Sequence, residues 1–355
     1  MSNLVRAPAG RRAGALFTTL VCGFTSVACG PESTTSPRTT THRPPATTTI
    51  AGEQSGWTTL SRDSSGIAVD TRRLTQPDGS TVMLVRFLVG RVTFNLHIGS
   101  IEPPTGNAAI GPESGAMIGA AEAPNVLACF NGGFKVRDHP GGIVTWGQHL
   151  TAVEPGLGTF VTDAAGHGAV GVWGRGIPTV EEPALNVRQN LQPLVTQGQM
   201  NPKVDDIAAW GWTFGGGTRV ARSGLGEDAV GNIIYVASMS TVPADLAQAL
   251  LAVGVVNGMQ LDINPATLQM DTAASPGGPL IAQIPGQQHP PNQCQIGSTR
   301  DFVVALAAPA PAPARAPATL PTHLSPITEG RPSGASARQE RELRPGQWRL
   351  ARYFL

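Results

Sequence analysis

The sequence predicts an α+β domain, a β-rich mixed sheet with few helices, and three observations predict it. Helical periodicity is scarce, and its clearest case is PADLAQALLAVG (243–254), where Leu246, Leu250 and Val253 fall on one face. Short apolar runs bounded by Gly, Asp and Ser recur along the chain, the pattern of strands joined by turns. Finally, NIIYVA (232–237), the 243–254 helix and GVVNGMQLDINP (254–265) read as strand, loop, helix, loop, strand, ending at Asp262. In such a unit the ligand crevice tends to lie at the carboxyl ends of the strands, which is where Asp262 sits.

Taken in order, TVMLVRFL (81–88) and VTFNLHIG (92–99) predict a hairpin around Gly90-Arg91. GPESGAMIGAAEAP (111–124) predicts a helix with Pro112 near its start and Pro124 closing it. The apolar run from Asn125 to Phe130 predicts a strand that ends in the glycine turn CFNGGFKVRDHPGG (129–142). GTFVTDAAGHGAVGVWG (158–174) predicts a second hairpin that turns between Asp163 and Gly168. RQNLQPLVTQG (188–198) predicts a short helix broken at Pro193, and DIAAWGWTF (206–214) a strand placing Trp210 and Trp212 on one face. Thr241 is the expected cap of the 243–254 helix, with Asp245 in its first turn.

The 355 residues divide by composition. Residues 1–29 read as an export signal: Arg6, Arg11 and Arg12 precede an apolar stretch, Ala13 to Ala28, too short to span a bilayer comfortably. Ser26-Val27-Ala28-Cys29 resembles a lipobox, making Cys29 the lipidation candidate, with ordinary cleavage nearby or an uncleaved anchor as alternatives. Residues 30–56 are rich in Thr, Ser and Pro and read as a linker. Residues 57–307 form the folded domain, and 308–355 an Ala/Pro-rich then Arg-rich tail expected to be disordered. Expected location is therefore the cell envelope, anchored on the outer side of the membrane by lipid or signal, or secreted, as a monomer. The net charge of +1 gives no field for nucleic acid. With Cys22 in the signal and Cys29 at its end, Cys129 and Cys294 remain; in an oxidising compartment they suggest one disulfide, the alternative being two buried thiols. No His/Cys cluster with zinc spacing occurs.

Several motifs, in one order, resemble the phosphodiester glycosidases, the family of the animal uncovering enzyme and of bacterial exopolysaccharide-associated proteins. They are Asn131-Gly132-Gly133-Phe134, RQNLQPLV (188–195), Arg222 ahead of a Gly/Asp-punctuated hairpin, Leu261-Asp262 ending a strand, and the closing STRDFVVAL (298–306). The chain departs from the family at one place: many members follow the aspartate with Gly-Gly-Gly-Ser, where this chain has Ile263, Asn264, Pro265 and Ala266. Proline fixes φ and lacks an N–H, so this loop cannot copy a triple-glycine conformation.

The resemblance implies hydrolysis of a sugar-1-phosphodiester in envelope or extracellular glycans. A phosphate leaving group is already a weak base, so that chemistry needs cations on the phosphate and a carboxylate facing the oxocarbenium-like carbon. The candidate catalytic residues are Asp262 as carboxylate, Arg222 for the phosphate because its planar fork matches phosphate oxygens, and Asp301 as a proton carrier. Asn131, Gly132, Gly133, Lys135, Asp138, Asn264 and Trp212 are candidate substrate-binding residues. Each has a plainer role open to it: an aspartate at a strand end often bonds the next loop, and Asp301 could pin the last strand through Arg300 or a backbone amide. A divalent cation near Asp262 and Asn264 would be calcium or magnesium, since the ligands are oxygens; no cofactor is otherwise expected. Two other readings stay open: a non-catalytic glycan-binding or polysaccharide-assembly protein on the same fold, and cleavage of P–O instead of C–O.

Overall fold

Three sheets, antiparallel except for the pair Gly168–Trp173/Gly176–Ile177, which is parallel, meet on a shared aromatic seam. The computed structural model describes residues 56–309 apart from 107–109, 112, 179–182 and 213–215, all within one compact unit, Ile50–Leu355. The export signal with Cys29, nearly all of the 30–56 segment and the tail beyond Pro309 lie outside the described residues.

The largest sheet runs, in spatial order, Thr58–Asp63, Gly66–Thr75, Thr81–Phe87, Ile233–Thr241, Val220–Asp228, Val255–Gln260, Pro193–Thr196 and Gln199–Met200. A five-stranded sheet runs Ile281–Ala282, Met270–Thr272, Val126–Asn131, Phe302–Ala307 and Val92–His97. A six-stranded sheet holds Gly176–Ile177, Gly168–Trp173, Gly158–Thr162, Asn186–Gln189, Ile143–Thr145 and Gln148–Thr151. Phe87 and Tyr235 of the first sheet, Phe94 and Phe130 of the second and Phe160 of the third form a chain of ring contacts with centroids 5.3–5.8 Å apart. Edge-to-face rings at these spacings add to the area they bury.

The run NIIYVA shows why it reads as continuously apolar. Strand Ile233–Thr241 is buried on both faces: Tyr235 and Ala237 enter the seam, whereas Ile234 and Val236 pack beneath the helix Pro243–Leu251 with Leu246 and Leu250. The flanking strands Ile233–Thr241 and Val255–Gln260 both pair antiparallel to Val220–Asp228, which lies between them.

Several expected elements differ. Strands Thr81–Phe87 and Val92–His97 form, but they do not pair as a hairpin; the chain turns at Leu88–Arg91 and passes from one sheet to another. Residues 111–124 hold no α-helix among the described ones, only a short 3-10 turn at Ala123–Asn125. The carbonyls a helix would use are engaged sideways: Glu113 O and Gly115 O accept from Asn95 and His97, and Ser114 O accepts from Ile98 N–H. The 188–198 helix is instead two strands, because Arg188, Gln189 and Asn190 each direct side-chain hydrogen bonds to distant segments. Ile207–Trp210 is a 3-10 turn, not a strand: Trp210 O accepts from Arg222 Nη1 and Gln260 Nε2, leaving no acceptor for a ladder. Trp210 is therefore buried and Trp212 exposed, not side by side. Val242, not Thr241, holds the helix N-cap position, and Thr241 Oγ1 donates to Gln76 Oε1 at 2.7 Å. The hairpin Gly158–Thr162/Gly168–Trp173 is present, and Cys129 and Cys294 form a disulfide that ties the strand before the glycine turn to the segment before the last strand.

Candidate functional site

Asp262 follows strand Val255–Gln260, and the ladder continues beneath it: Leu261 N–H donates to Ser223 O and Ser223 N–H to Asp262 O. Its side chain is 8% exposed. Oδ1 accepts from Ile263 N–H (2.7 Å) and Asn264 N–H (3.2 Å), and Oδ2 accepts from Thr267 Oγ1 (2.7 Å). Arg300 Nη2 lies 3.3 Å from Oδ2. Burial pushes the Asp262 carboxyl above the ordinary carboxylate range, opposed by Arg300, the Thr267 hydroxyl and the two amides.

Arg300 Nη2 also donates to Gly133 O at 2.7 Å, so one guanidinium joins the glycine turn to the Asp262 loop. A cavity of about 820 Å³ opens in front of this joint, and Lys135, Arg137, Asp138 and Asn264 line it together with Asp262 and Arg300. Phe134, Trp212, Ile263 and Pro265 supply apolar wall. Behind the joint is a cavity of about 40 Å³, lined by Asn131, Gly132, Gly133, Thr267, Gln269 and Asp301. Asp262 and Arg300 line both, and thus stand between them. A further cavity, about 530 Å³, lies against Asp63, Arg91 and Asn125; Asp63 and Arg91 form an ion pair there, and no candidate residue reaches it.

The remaining candidates fall in three groups. Lys135 and Asn264 reach the large cavity, and Lys135 Nζ has no hydrogen-bond partner among the described residues. Asp138 reaches it as an exposed side chain, 3.8 Å from Arg137 Nε, and Trp212 as a ring 66% exposed. A second group lines the small cavity and is engaged by the protein's own groups. Asn131 spends its side chain inside the protein: Nδ2 donates to Gly132 O and Ser223 Oγ, while Oδ1 accepts from Tyr235 Oη and Gln269 N–H. Gly132 and Gly133 are required by neighbours, since a Cβ on Gly132 would sit 1.8 Å from Asp301 Oδ2 and one on Gly133 2.7 Å from Asn190 Oδ1. Asp301 is bound by Arg188 in a fork, Nε to Oδ2 at 2.6 Å and Nη2 to Oδ1 at 3.3 Å, and Gly133 N–H donates to it as well.

Arg222 forms the third group alone. It is fully buried and does not line the cavity; Nη1 donates to Trp210 O and Gln260 Oε1, and its Nε and Nη2 have no partner among the described residues. Burial lowers its pKa to about 10, with no carboxylate among the described residues to oppose it. Sequence reasoning chose Arg222 to hold the phosphate, with Lys135 after it; the cation beside Asp262 in the structure is Arg300. Arg300 and Asp301 are adjacent just before the strand Phe302–Ala307, and their side chains meet different partners, Asp262 and Arg188. Arg188 lay inside a recognised motif, and its partner, 113 residues away, has no local signal.

A divalent cation does not fit here. The Asp262 oxygens already accept three hydrogen bonds and face a guanidinium, which a metal would have to displace. Among the described residues no group of three His, Cys, Asp or Glu side chains is arranged to hold a metal.

No family model and no curated protein matches this chain. Among solved structures, it is similar to the catalytic domain of zebrafish N-acetylglucosamine-1-phosphodiester alpha-N-acetylglucosaminidase, auto-inhibited by its pro-peptide: 15% identity, 71% of this chain, 87% of that chain, TM-score 0.43. A hypothetical protein from Synechocystis matches at 14% identity, over 68% of this chain and 62% of that one, with a TM-score of 0.42. A Burkholderia pseudomallei protein described as exported matches at 14% identity, over 66% and 74% of the two chains, with a TM-score of 0.34. None of these values identifies a family.

Proposed function

We propose that this chain is an exported glycoside hydrolase that cleaves a sugar-1-phosphodiester in envelope or extracellular glycans. One observation carries the reading: a buried carboxylate, Asp262, forms the wall of a cavity whose other ionic groups are Lys135, Arg137, Arg300 and Asp138. Three cations against two carboxylates favour an anionic ligand, and the preorganised guanidinium stands beside the only buried acid in that wall. The motif order described above supports the same substrate. The buried Cys129–Cys294 disulfide supports export, because such bonds persist in oxidising compartments.

In this reading Arg300 and Lys135 hold the phosphate oxygens, and Asp262 faces the anomeric carbon. The C–O bond to phosphate breaks with its electron pair leaving on the phosphate, which needs no proton. Water supplies the oxygen that bonds to the anomeric carbon, and its proton passes to Asp262 as base; an Asp262 nucleophile would instead form a glycosyl ester that water then opens. Arg222 and Asp301 are structural in this account, and the phosphate-holding role moves to Arg300.

The test is release of free sugar from N-acetylglucosamine-1-phosphodiesters by the purified protein, with and without EDTA. Asp262→Asn should lower turnover by roughly 100-fold or more with cooperative unfolding retained, and EDTA should have no effect. Full hydrolysis by Asp262→Asn would overturn the site assignment, and labelling with heavy-oxygen water would expose P–O cleavage.

One observation favours a second reading, a non-catalytic glycan-binding or polysaccharide-assembly protein. Both Asp262 oxygens are occupied by the protein's own donors, in a loop whose Ile263-Asn264-Pro265-Ala266 has no glycine. In that case wild type binds the diester without releasing sugar, and Asp262→Asn only weakens affinity.

A further inference from the structure

The large cavity is chemically two-sided. Its charges come from the 135–138 turn, Asp262 and Arg300. Leu191, Ala208, Ala209, Val220, Met239 and Trp212, drawn from four other stretches of chain, give it a wall with no charge at all. The join between the two kinds of wall is close-packed: a Cβ on Gly211 would meet Phe134 Cε2 at 2.7 Å and Ile263 Cδ1 at 3.0 Å, and Gly211 also holds φ +88°. At about 820 Å³ the space is in the upper range for drug-sized ligands, room for more than a sugar and a phosphate. Trp212, 66% exposed, adds a large uncovered ring to this wall. A bare tryptophan continuous with an apolar lining marks a surface that is covered when ligand binds.

We propose that the alcohol esterified to the phosphate is a long apolar chain, so that the substrate class is a glycosyl phosphate ester of a lipid alcohol. The sugar and phosphate occupy the ionic side, and the chain lies along Trp212, Met239 and Val220. This rests on the hydrolase reading above and names the aglycone that reading leaves open. A polar aglycone such as a second sugar would leave most of its hydroxyls facing side chains whose one hydrogen-bonding group is the Trp212 indole N–H.

The test compares the methyl and hexyl diesters of N-acetylglucosamine 1-phosphate with the purified full chain, the hexyl ester kept below its micellar concentration. Each buried methylene is worth about fourfold, so five methylenes at half burial should raise kcat/KM roughly 30-fold. Trp212→Ala combined with Met239→Ser should bring that ratio down to about threefold or less. Equal kcat/KM for both esters overturns the inference and leaves the hydrolase reading standing. If neither ester is hydrolysed, titration calorimetry decides. Tighter binding of the hexyl ester, by a similar factor and sensitive to the same double substitution, keeps the apolar aglycone and removes the hydrolase. Equal binding, or none, overturns the inference.

Discussion

Replacing Asp301 with asparagine should cost about 3 kcal/mol of folding stability or more. The magnitude follows from what the carboxylate holds. Arg188 and Asp301 are 1% and 2% exposed, joined at 2.6 Å, and among the described residues the guanidinium's other acceptors are the carbonyls of Phe134 and Gln189. Asparagine keeps one oxygen for Nε but removes the countercharge, leaving a buried cation with carbonyl partners alone. Breaking such a pair costs roughly 3–5 kcal/mol, and the retained acceptor places asparagine near the lower end. For a folded unit of roughly 250 residues, that loss lowers Tm by about 6–12 °C. Urea unfolding followed by circular dichroism at pH 7 reads it directly. Arg188→Met should cost a comparable amount, and the double variant less than the sum, with a coupling of roughly 2 kcal/mol. A carboxylate reserved for catalysis would do the opposite, losing turnover while stability held or rose. Asp301→Asn within about 1 kcal/mol of wild type, or strict additivity with Arg188→Met, would refute the reasoning.

Three further outcomes follow from the packing. Gly132→Ala drives a methyl to 1.8 Å from Asp301 Oδ2 and should cost about 2 kcal/mol or more in the same urea assay, whereas Gly115→Ala, with nothing within 4 Å of its Cβ, should stay within about 0.5 kcal/mol. Asp271 is fully buried between the side-chain amides of Gln269 and Gln287, and burial raises its pKa from the ordinary 3.8 to about 6. The folded state therefore holds this proton more tightly than the unfolded chain. Its contribution is fully present below pH 3.8 and is lost as pH rises through about 6; Asp271→Asn should flatten that fall by on the order of 3 kcal/mol, measured as urea midpoints from pH 3.5 to 7. Removing the disulfide with Cys129→Ala and Cys294→Ala opens a constraint between residues 165 apart and should cost about 2–5 kcal/mol, and equal stability of reduced and oxidised protein would contradict it.

Local pattern was enough for much of this molecule. Alternating apolar runs and glycine turns located strands such as Val126–Asn131 and Ile233–Thr241, and the single strong 3.6-residue period located the helix Pro243–Leu251. Where local pattern misled, distant partners had claimed the backbone. The carbonyls of Glu113 and Gly115 serve Asn95 and His97 instead of a helix, and Trp210 O serves Arg222 and Gln260 instead of a ladder. Propensity over ten residues holds no information about such claims, because the groups that make them lie elsewhere in the chain.

By itself, then, the sequence indicated a strand-rich domain, offered Cys129 and Cys294 as one disulfide or two buried thiols, and put a candidate aspartate at a strand end. Which cation meets that aspartate was decided by the tertiary structure alone. Strand alternation says that Arg222 and Ser223 face opposite ways, but not which face meets which neighbour. Ser223 turns toward Asn131, and so Arg222 points into the layer beneath the helix, in line with Gly224, whose Cβ would lie 3.3 Å from Leu246. Just ahead of the last strand, Asp301 turns inward to Arg188, and Arg300 lies against Asp262 in the cavity wall. The physical reason is that period two fixes relative direction within a strand, whereas the absolute direction comes from contacts with segments distant in sequence, such as Ser223 with Asn131 and Arg188 with Asp301.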